Sequence, residues 1–162
     1  SLVDPERVSS LIEMLELRTA VEGDAAALAA LRRSPAQEER IMEAFDRFCH
    51  QVQAGKPSSE ADLALHLAIA EAANNPRFVE FLRLAGASVI PRRAVSDGSD
   101  AQISPDYSLR LIAEHEAIVS AIQNGDEEGA RLAMRGHLRN SQARYRQYLR
   151  ESRRTIAPSG AA

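Results

Sequence analysis

Four polar side chains in this sequence lie where helix-forming, apolar residues are expected. Asp62 and His66 are one turn apart in the stretch DLALHLAIAEA at 62–72, and His115 and His137 lie among aliphatic residues later in the chain. Helical periodicity puts all four on the apolar faces of their predicted helices. A buried carboxylate without a partner is costly, whereas one divalent cation satisfies a carboxylate and three imidazoles together. The pattern predicts a metal centre formed by these four residues.

Ordinary structural roles are also open for the same residues. Asp62 could be the acidic partner of Ser59 in an S-x-x-D capping box, a role that is compatible with metal binding. His115 and His137, each taken alone, could be core histidines satisfied by a hydrogen bond. The metal interpretation is favoured because one carboxylate and three inward imidazoles occur together.

A second pair with the same spacing tests this logic. Asp46 and His50 are also four residues apart, in DRFCH at 46–50. Their helix buries Ile41, Phe45, Phe48 and Val52, which places the pair on the opposite side. We therefore expect Asp46 and His50 to be exposed and without a metal.

The elements that position these residues are predicted to be helices. The sequence has 44% hydrophobic, 27% charged and 4% aromatic residues and no Trp, a mixture that favours helices over strands. Ser34 and Gln37 form a predicted capping box, and "EGD" at 22–24 is interpreted as a break. Helices are predicted at about 5–22, 24–33, 35–53, 59–73, from 76 to near Pro91, 105–123 and 126–150, with a long loop at 96–106. We expect an all-α bundle of six or seven helices with short connections.

Bulk properties narrow the class of protein. The single Cys49 fits a reducing, cytoplasmic location, and the sequence contains neither a signal-peptide pattern nor an apolar run that could span a membrane. The net charge of −3 argues against strong DNA binding by this chain alone. An arginine stripe on the last helix could contact phosphate but is better explained as a solvated face balanced by acidic neighbours. It contains Arg131, Arg135, Arg139, Arg146 and Arg150.

The motifs together resemble a known family. Asp62-x-x-x-His66, the stretch HEAIVSAIQNGDEEGARLAMRGHL at 115–138, ELRTAVE at 16–22 and ANNPRF at 73–78 are similar to the FCD domain. This is the effector-binding C-terminal domain of FadR-type transcription regulators in the GntR superfamily. The resemblance covers about residues 8–148. It implies an antiparallel bundle of six or seven helices that encloses a central metal and effector pocket. In that pocket a metal would be held through one Asp and three His, here Asp62, His66, His115 and His137. The resemblance also implies a homodimer.

Two departures from the family pattern are visible. Leu65 stands where many members have Phe, which changes packing beside the site but not the ligands. Nothing here resembles the winged helix-turn-helix that normally precedes this domain, so we interpret the chain as an isolated or truncated effector domain. We expect 1–152 to form the metal- and ligand-binding domain and 153–162 a disordered tail. Operator DNA would be bound only through the missing domain.

These expectations combine into a sensor function. Zn²⁺ or Ni²⁺ suits three nitrogens and one oxygen, with Mn²⁺ and Fe²⁺ also open, and the family implies a small carboxylate at the remaining positions. Arg18 extends an apolar stripe and is predicted to bind that carboxylate, although an Arg18–Glu22 pair is the open alternative. A purely structural metal or a small metal-dependent hydrolase are the rival functions. We expect no enzyme, because no separate general base or catalytic motif is evident.

Overall fold

The structure is a computed structural model that describes residues 4–86 and 105–156. Six helices and no strands occur in these two ranges. The helices are α1 (Pro5–Arg32), α2 (Pro35–Gln53), α3 (Ser59–Ala72), α4 (Pro76–Gly86), α5 (Pro105–Gln123) and α6 (Glu127–Ile156). The predicted all-α bundle is confirmed. Long α1 packs along α6, and α3 and α5 complete the walls of the site.

Helix α1 corrects one prediction. The "EGD" sequence at 22–24 does not end a helix, and α1 continues through it to Arg32. Gly23 is needed there for packing, since a Cβ at this position would lie 2.8 Å from Cγ of Arg135 on α6. The following alanines, among them Ala26 and Ala29, are fully buried. Tertiary packing therefore outweighs the local tendency of the tripeptide to form a turn.

Other helix boundaries follow the sequence signals. Ser34 and Gln37 form the predicted reciprocal capping box at the start of α2, with Pro35 in its first turn. The loop after α3 contains Asn74 in the left-handed region, at φ 56°. Its side chain donates to the Arg32 carbonyl at 2.8 Å and accepts from Gln37 Nε2 at 2.8 Å. Asn74 thus ties the α3–α4 turn to the α1–α2 connection.

The main core lies between α1, α3, α5 and α6, and α2 adds Ile41 and Ala44 to it. Its largest buried members include Leu65, Ile69, Ile118, Met134 and Leu138. Leu65, the departure from the family pattern, has 0% exposure and directly precedes a candidate ligand.

Some predictions concern residues outside the described ranges. Helix α4 is described to Gly86, so its predicted end near Pro91 and most of the loop at 96–106 lie beyond them. Helix α6 runs to Ile156, past the predicted domain boundary at 152, and 157–162 are not described. Within the described residues, no helix is both long and apolar enough to cross a bilayer.

Candidate metal centre

The four residues predicted as ligands come together in the bundle. One donor atom from each of Asp62, His66, His115 and His137 can be chosen so that all lie within 4.8 Å of one another. Asp62 Oδ1 is 3.1 Å from His66 Nε2 and 2.9 Å from His115 Nε2. The rings of His115 and His137 have centroids 4.3 Å apart. Helix α3 supplies the first two residues, while α5 and α6 supply one histidine each.

The outer edge of every imidazole faces a hydrogen-bond acceptor. His66 Nδ1 is 2.6 Å from Glu22 Oε1, and His137 Nδ1 is 2.8 Å from Glu114 Oε1. His115 Nδ1 is 2.6 Å from the Leu111 carbonyl one turn earlier. Carbonyl and carboxylate oxygens only accept, so Nδ1 must carry the proton and donate in each case. A neutral ring then presents the lone pair of Nε2, as metal-binding histidines do.

This arrangement creates an electrostatic problem at the centre. With the protons on Nδ1, the Nε2 lone pairs of His66 and His115 face the Asp62 carboxylate, which is also an acceptor. Burial and the neighbouring His115 hold the pKa of His137 well below its ordinary value, which favours the neutral form of that ring. A divalent cation bound to the three nitrogens and the carboxylate oxygen satisfies every atom at once. The residues present therefore fit a metal ion.

Glu22 is a member of the site that the sequence analysis did not assign. Burial raises the pKa of its carboxyl, but the interactions with His66 and Arg18 outweigh that effect and lower the pKa to about 2. The carboxylate is thus ionised and only 2% exposed. A signal was present in the sequence, because Glu22 extends the Leu15–Arg18 stripe at helical spacing. It was considered only as a partner of Arg18, because its contact with His66 on α3 depends on the tertiary fold.

Glu114 plays a matching part on the other side and was also missed. One oxygen accepts from His137, and the other accepts from Asn140 Nδ2 at 3.0 Å and lies 3.5 Å from Arg144 Nη1. Burial raises the pKa of Glu114, but His137, Arg144 and Asn140 together lower it. Its partner comes from α6.

A cavity of about 60 Å³ opens beside the centre. Asp62, His66 and His137 contribute to its wall, together with apolar Leu11, Leu15, Leu63 and Leu138 and polar Arg18, Ser59, Tyr107, Ser141, Arg144 and Tyr145. Arg18 forms the alternative pair with Glu22, Nε to Oε2 at 2.6 Å, while still lining the cavity. The two roles considered for Arg18 are therefore compatible.

The remaining alternatives have clear structural outcomes. Asp46 and His50 are exposed and outside the cluster, as expected. The S-x-x-D capping box is not formed, because Ser58 is the N-cap of α3 and makes no side-chain capping bond. In the arginine stripe, Arg131 pairs with Asp24 and Arg146 pairs with Glu16. For these two residues the explanation as charge-balanced surface is confirmed.

The fold and this site define a helical domain built around a buried His₃Asp cluster and an adjoining cavity. The family model for the FCD domain matches residues 13–140. The chain belongs to the FCD domain family, which confirms the resemblance found in the sequence.

Relatives and solved structures agree with this assignment. The chain is 33% identical over 127 residues to a protein of Escherichia coli (strain K12) named for regulation of the L-lactate dehydrogenase operon, covering 78% of this chain and 48% of that protein. It is 30% identical over 128 residues to the HTH-type transcriptional regulator LutR of Bacillus subtilis (strain 168), and the match covers 79% of this chain and 58% of LutR. The chain thus spans about half the length of these curated relatives.

Two solved structures share the fold. Streptococcus agalactiae GntR superposes with a TM-score of 0.68 at 21% identity, over 88% of this chain and 61% of that one. E. coli McbR/YncC superposes with a TM-score of 0.71 at 21% identity, over 84% of this chain and 64% of that one. At this identity the similarity concerns architecture.

Proposed function

We propose that this chain is the effector-sensing domain of a GntR/FadR-type transcription regulator and that it binds a divalent metal through Asp62, His66, His115 and His137. One observation carries the proposal: every Nδ1 is held by an acceptor while the Nε2 atoms of His66 and His115 approach the Asp62 carboxylate. Such an arrangement gathers imidazole nitrogens and a carboxylate oxygen close enough for one divalent cation to bind them together.

The donor set narrows the choice of metal without deciding it. Three imidazole nitrogens and one carboxylate oxygen suit Zn²⁺ or Ni²⁺, and Mn²⁺ or Fe²⁺ can also accept them. A metal that takes five or six ligands would keep positions for an oxygen ligand. When bound, the ion supplies positive charge that attracts an anion into the adjoining cavity.

A small carboxylate fits this chemistry. Arg18 lines the cavity together with three ligands of the proposed ion. Its Nε is bonded to Glu22, so its two Nη groups can bind a carboxylate in bidentate fashion. The E. coli relative is named for an L-lactate dehydrogenase operon. L-lactate is therefore the first effector to test.

Regulation would operate through parts outside this chain. The named relatives are regulators, and we infer a cytoplasmic homodimer that contacts operator DNA through a separate DNA-reading domain. Effector binding would shift the population of dimer geometries and thereby the fit to operator half-sites.

A metal-dependent hydrolase is disfavoured by the structure of the site. Such chemistry needs a general base facing the substrate. Glu22 and Glu114, the carboxylates next to the ligand histidines, are each occupied by an imidazole Nδ1 and a basic side chain. Both are therefore committed to holding the cluster.

The proposal is tested by titrating L-lactate into zinc-loaded and zinc-free protein in a calorimeter. We expect binding to the loaded form and a loss of roughly 10-fold or more with Arg18→Met, because a charge-assisted bidentate contact is removed. Arg150→Met, a change at an exposed arginine of α6, is the matched control and should bind like the parent. If a panel of small carboxylates binds neither form, the sensor function is wrong. If chelation lowers the melting temperature while carboxylate affinity is unchanged, the metal is structural.

A further inference from the structure

Two three-residue chains connect the proposed metal centre to arginines of the cavity. The first consists of His66, Glu22 and Arg18, with contacts of 2.6 Å on both sides of the carboxylate. The second consists of His137, Glu114 and Arg144, with contacts of 2.8 and 3.5 Å. We call these the Glu22 relay and the Glu114 relay. Both arginines line the same cavity, on which His66 and His137 also border.

The Glu22 relay is fully enclosed. Glu22 has 3% side-chain exposure and Arg18 has 10%, and each carboxylate oxygen has its own partner. A buried carboxylate that loses one of its partners is strongly penalised. A movement of the His66 ring therefore shifts the Glu22 carboxylate and with it the Arg18 guanidinium. A movement of Arg18 is transmitted to His66 in the same way.

The Glu114 relay is more open and more branched. Glu114 has 16% and Arg144 has 25% side-chain exposure. Arg144 also donates to Ser141 Oγ at 2.9 Å and lies over the Tyr107 ring, 4.9 Å from its centroid. Three contacts therefore define where its guanidinium lies, and one of them leads back to a ligand histidine.

We propose that Glu22 and Glu114 are positioning residues that couple metal occupancy to the orientation of Arg18 and Arg144. This inference rests on the proposed metal binding. A cation on Nε2 makes the ring a stronger donor at Nδ1, which tightens its bond to the carboxylate. The carboxylate in turn holds the guanidinium that faces the cavity. Metal and anion then promote each other's binding by the same factor.

Zinc affinity measured by chelator competition tests the carboxylates. Glu22→Gln and Glu114→Gln should each weaken zinc binding about 10–100-fold, the usual effect of removing a partner of a ligand histidine. Glu16→Gln and Glu128→Gln are matched controls, because these exposed carboxylates pair with Arg146 and Arg131 away from the site. The controls should bind zinc like the parent.

A double-mutant cycle tests the connection to the arginines. The effect of Arg18→Met on zinc affinity should differ by at least about threefold between the parent and the Glu22→Gln background, since contacting residues couple. The same is expected for Arg144→Met with Glu114→Gln. Arg146→Met and Glu16→Gln change a contacting pair away from the site, so zinc affinity should stay at the parental value in each single variant and in the double variant. Additive behaviour in both relays would overturn the inference, as would zinc affinities of both Gln variants equal to the parent's.

The outcomes separate this inference from the function on which it rests. Circular dichroism and thermal melting of the zinc-free variants show whether they are folded. If Glu22→Gln does not fold, the half-buried Glu114 relay decides the matter independently. A parent protein that binds no zinc overturns the metal function itself. If the parent binds zinc and both Gln variants bind it with the same affinity, the relays are wrong and the metal function stands.

Discussion

His66 Nδ1 and Glu22 Oε1 lie 2.6 Å apart although 44 residues separate them in the chain. The contact joins α3 to α1 and orients the imidazole so that Nε2 faces Asp62 at 3.1 Å. It also explains why an ionised carboxylate is retained in the core, since Arg18 and His66 both stabilise its charge. The candidate centre is therefore built from the interior of α1 as well as from the ligand-bearing helices.

Removing the metal should destabilise the folded protein. A ligand present at 100 times its dissociation constant adds about 2.7 kcal/mol, which for a domain of this size raises the melting temperature by roughly 5–10 °C. We expect a chelator to abolish this increment in thermal unfolding followed by circular dichroism, and added Zn²⁺ to restore it.

A control variant separates the buried centre from the exposed pair. Asp46→Ala combined with His50→Ala removes a carboxylate and an imidazole with the same spacing as Asp62 and His66, but on the exposed side of α2. This variant should show the full chelator-sensitive increment. An identical melting temperature of the parent with and without metal would refute the prediction.

Two glycines in helices should respond differently to alanine. A Cβ on Gly136 meets nothing within 4 Å, so Gly136→Ala should stabilise by about 0.5–1 kcal/mol through helix propensity. A Cβ on Gly23 would lie 2.8 Å from Arg135 Cγ, and Gly23→Ala should be about 1–2 kcal/mol less stable than Gly136→Ala because the arginine stem must move. Urea unfolding measures both; equal free energies of unfolding would argue against the close α1–α6 contact.

The turn after α3 separates backbone strain from hydrogen bonding. Asn74→Gly keeps a residue that tolerates φ 56° but loses the bonds to Arg32 and Gln37. Asn74→Ala loses these bonds and adds backbone strain, so it should be destabilised further, by about 1 kcal/mol. Denaturant unfolding gives the comparison. If Asn74→Ala is as stable as Asn74→Gly, the left-handed backbone at this turn is unimportant.

Much of this architecture could be predicted because its signals are local. Neighbouring residues alone determine the capping box of Ser34 and Gln37, the turn at Asn74–Pro76 and the apolar spacing around His115 and His137. Helix boundaries could therefore be predicted from these signals. The facing of Asp62 and His66 could be predicted because a helix has a fixed period. The four ligands converge because three such faces share one core.

The missed features depend on distant contacts. Helix α1 continues through "EGD" at 22–24, where Gly23 lies against the Arg135 side chain of α6, 112 residues away in the chain. The roles of Glu22 and Glu114 depend on histidines 44 and 23 residues away. A helical wheel shows which way a side chain points but does not identify the residue it meets on a neighbouring helix.

The metal content of the purified, zinc-loaded chain, determined by elemental analysis, tests the central claim most directly. We predict about one zinc per chain for the parent and for His50→Ala, and loss of the bound zinc in a folded His115→Ala variant. A parent without zinc, or a His115→Ala variant that keeps the metal at parental affinity, would contradict the account.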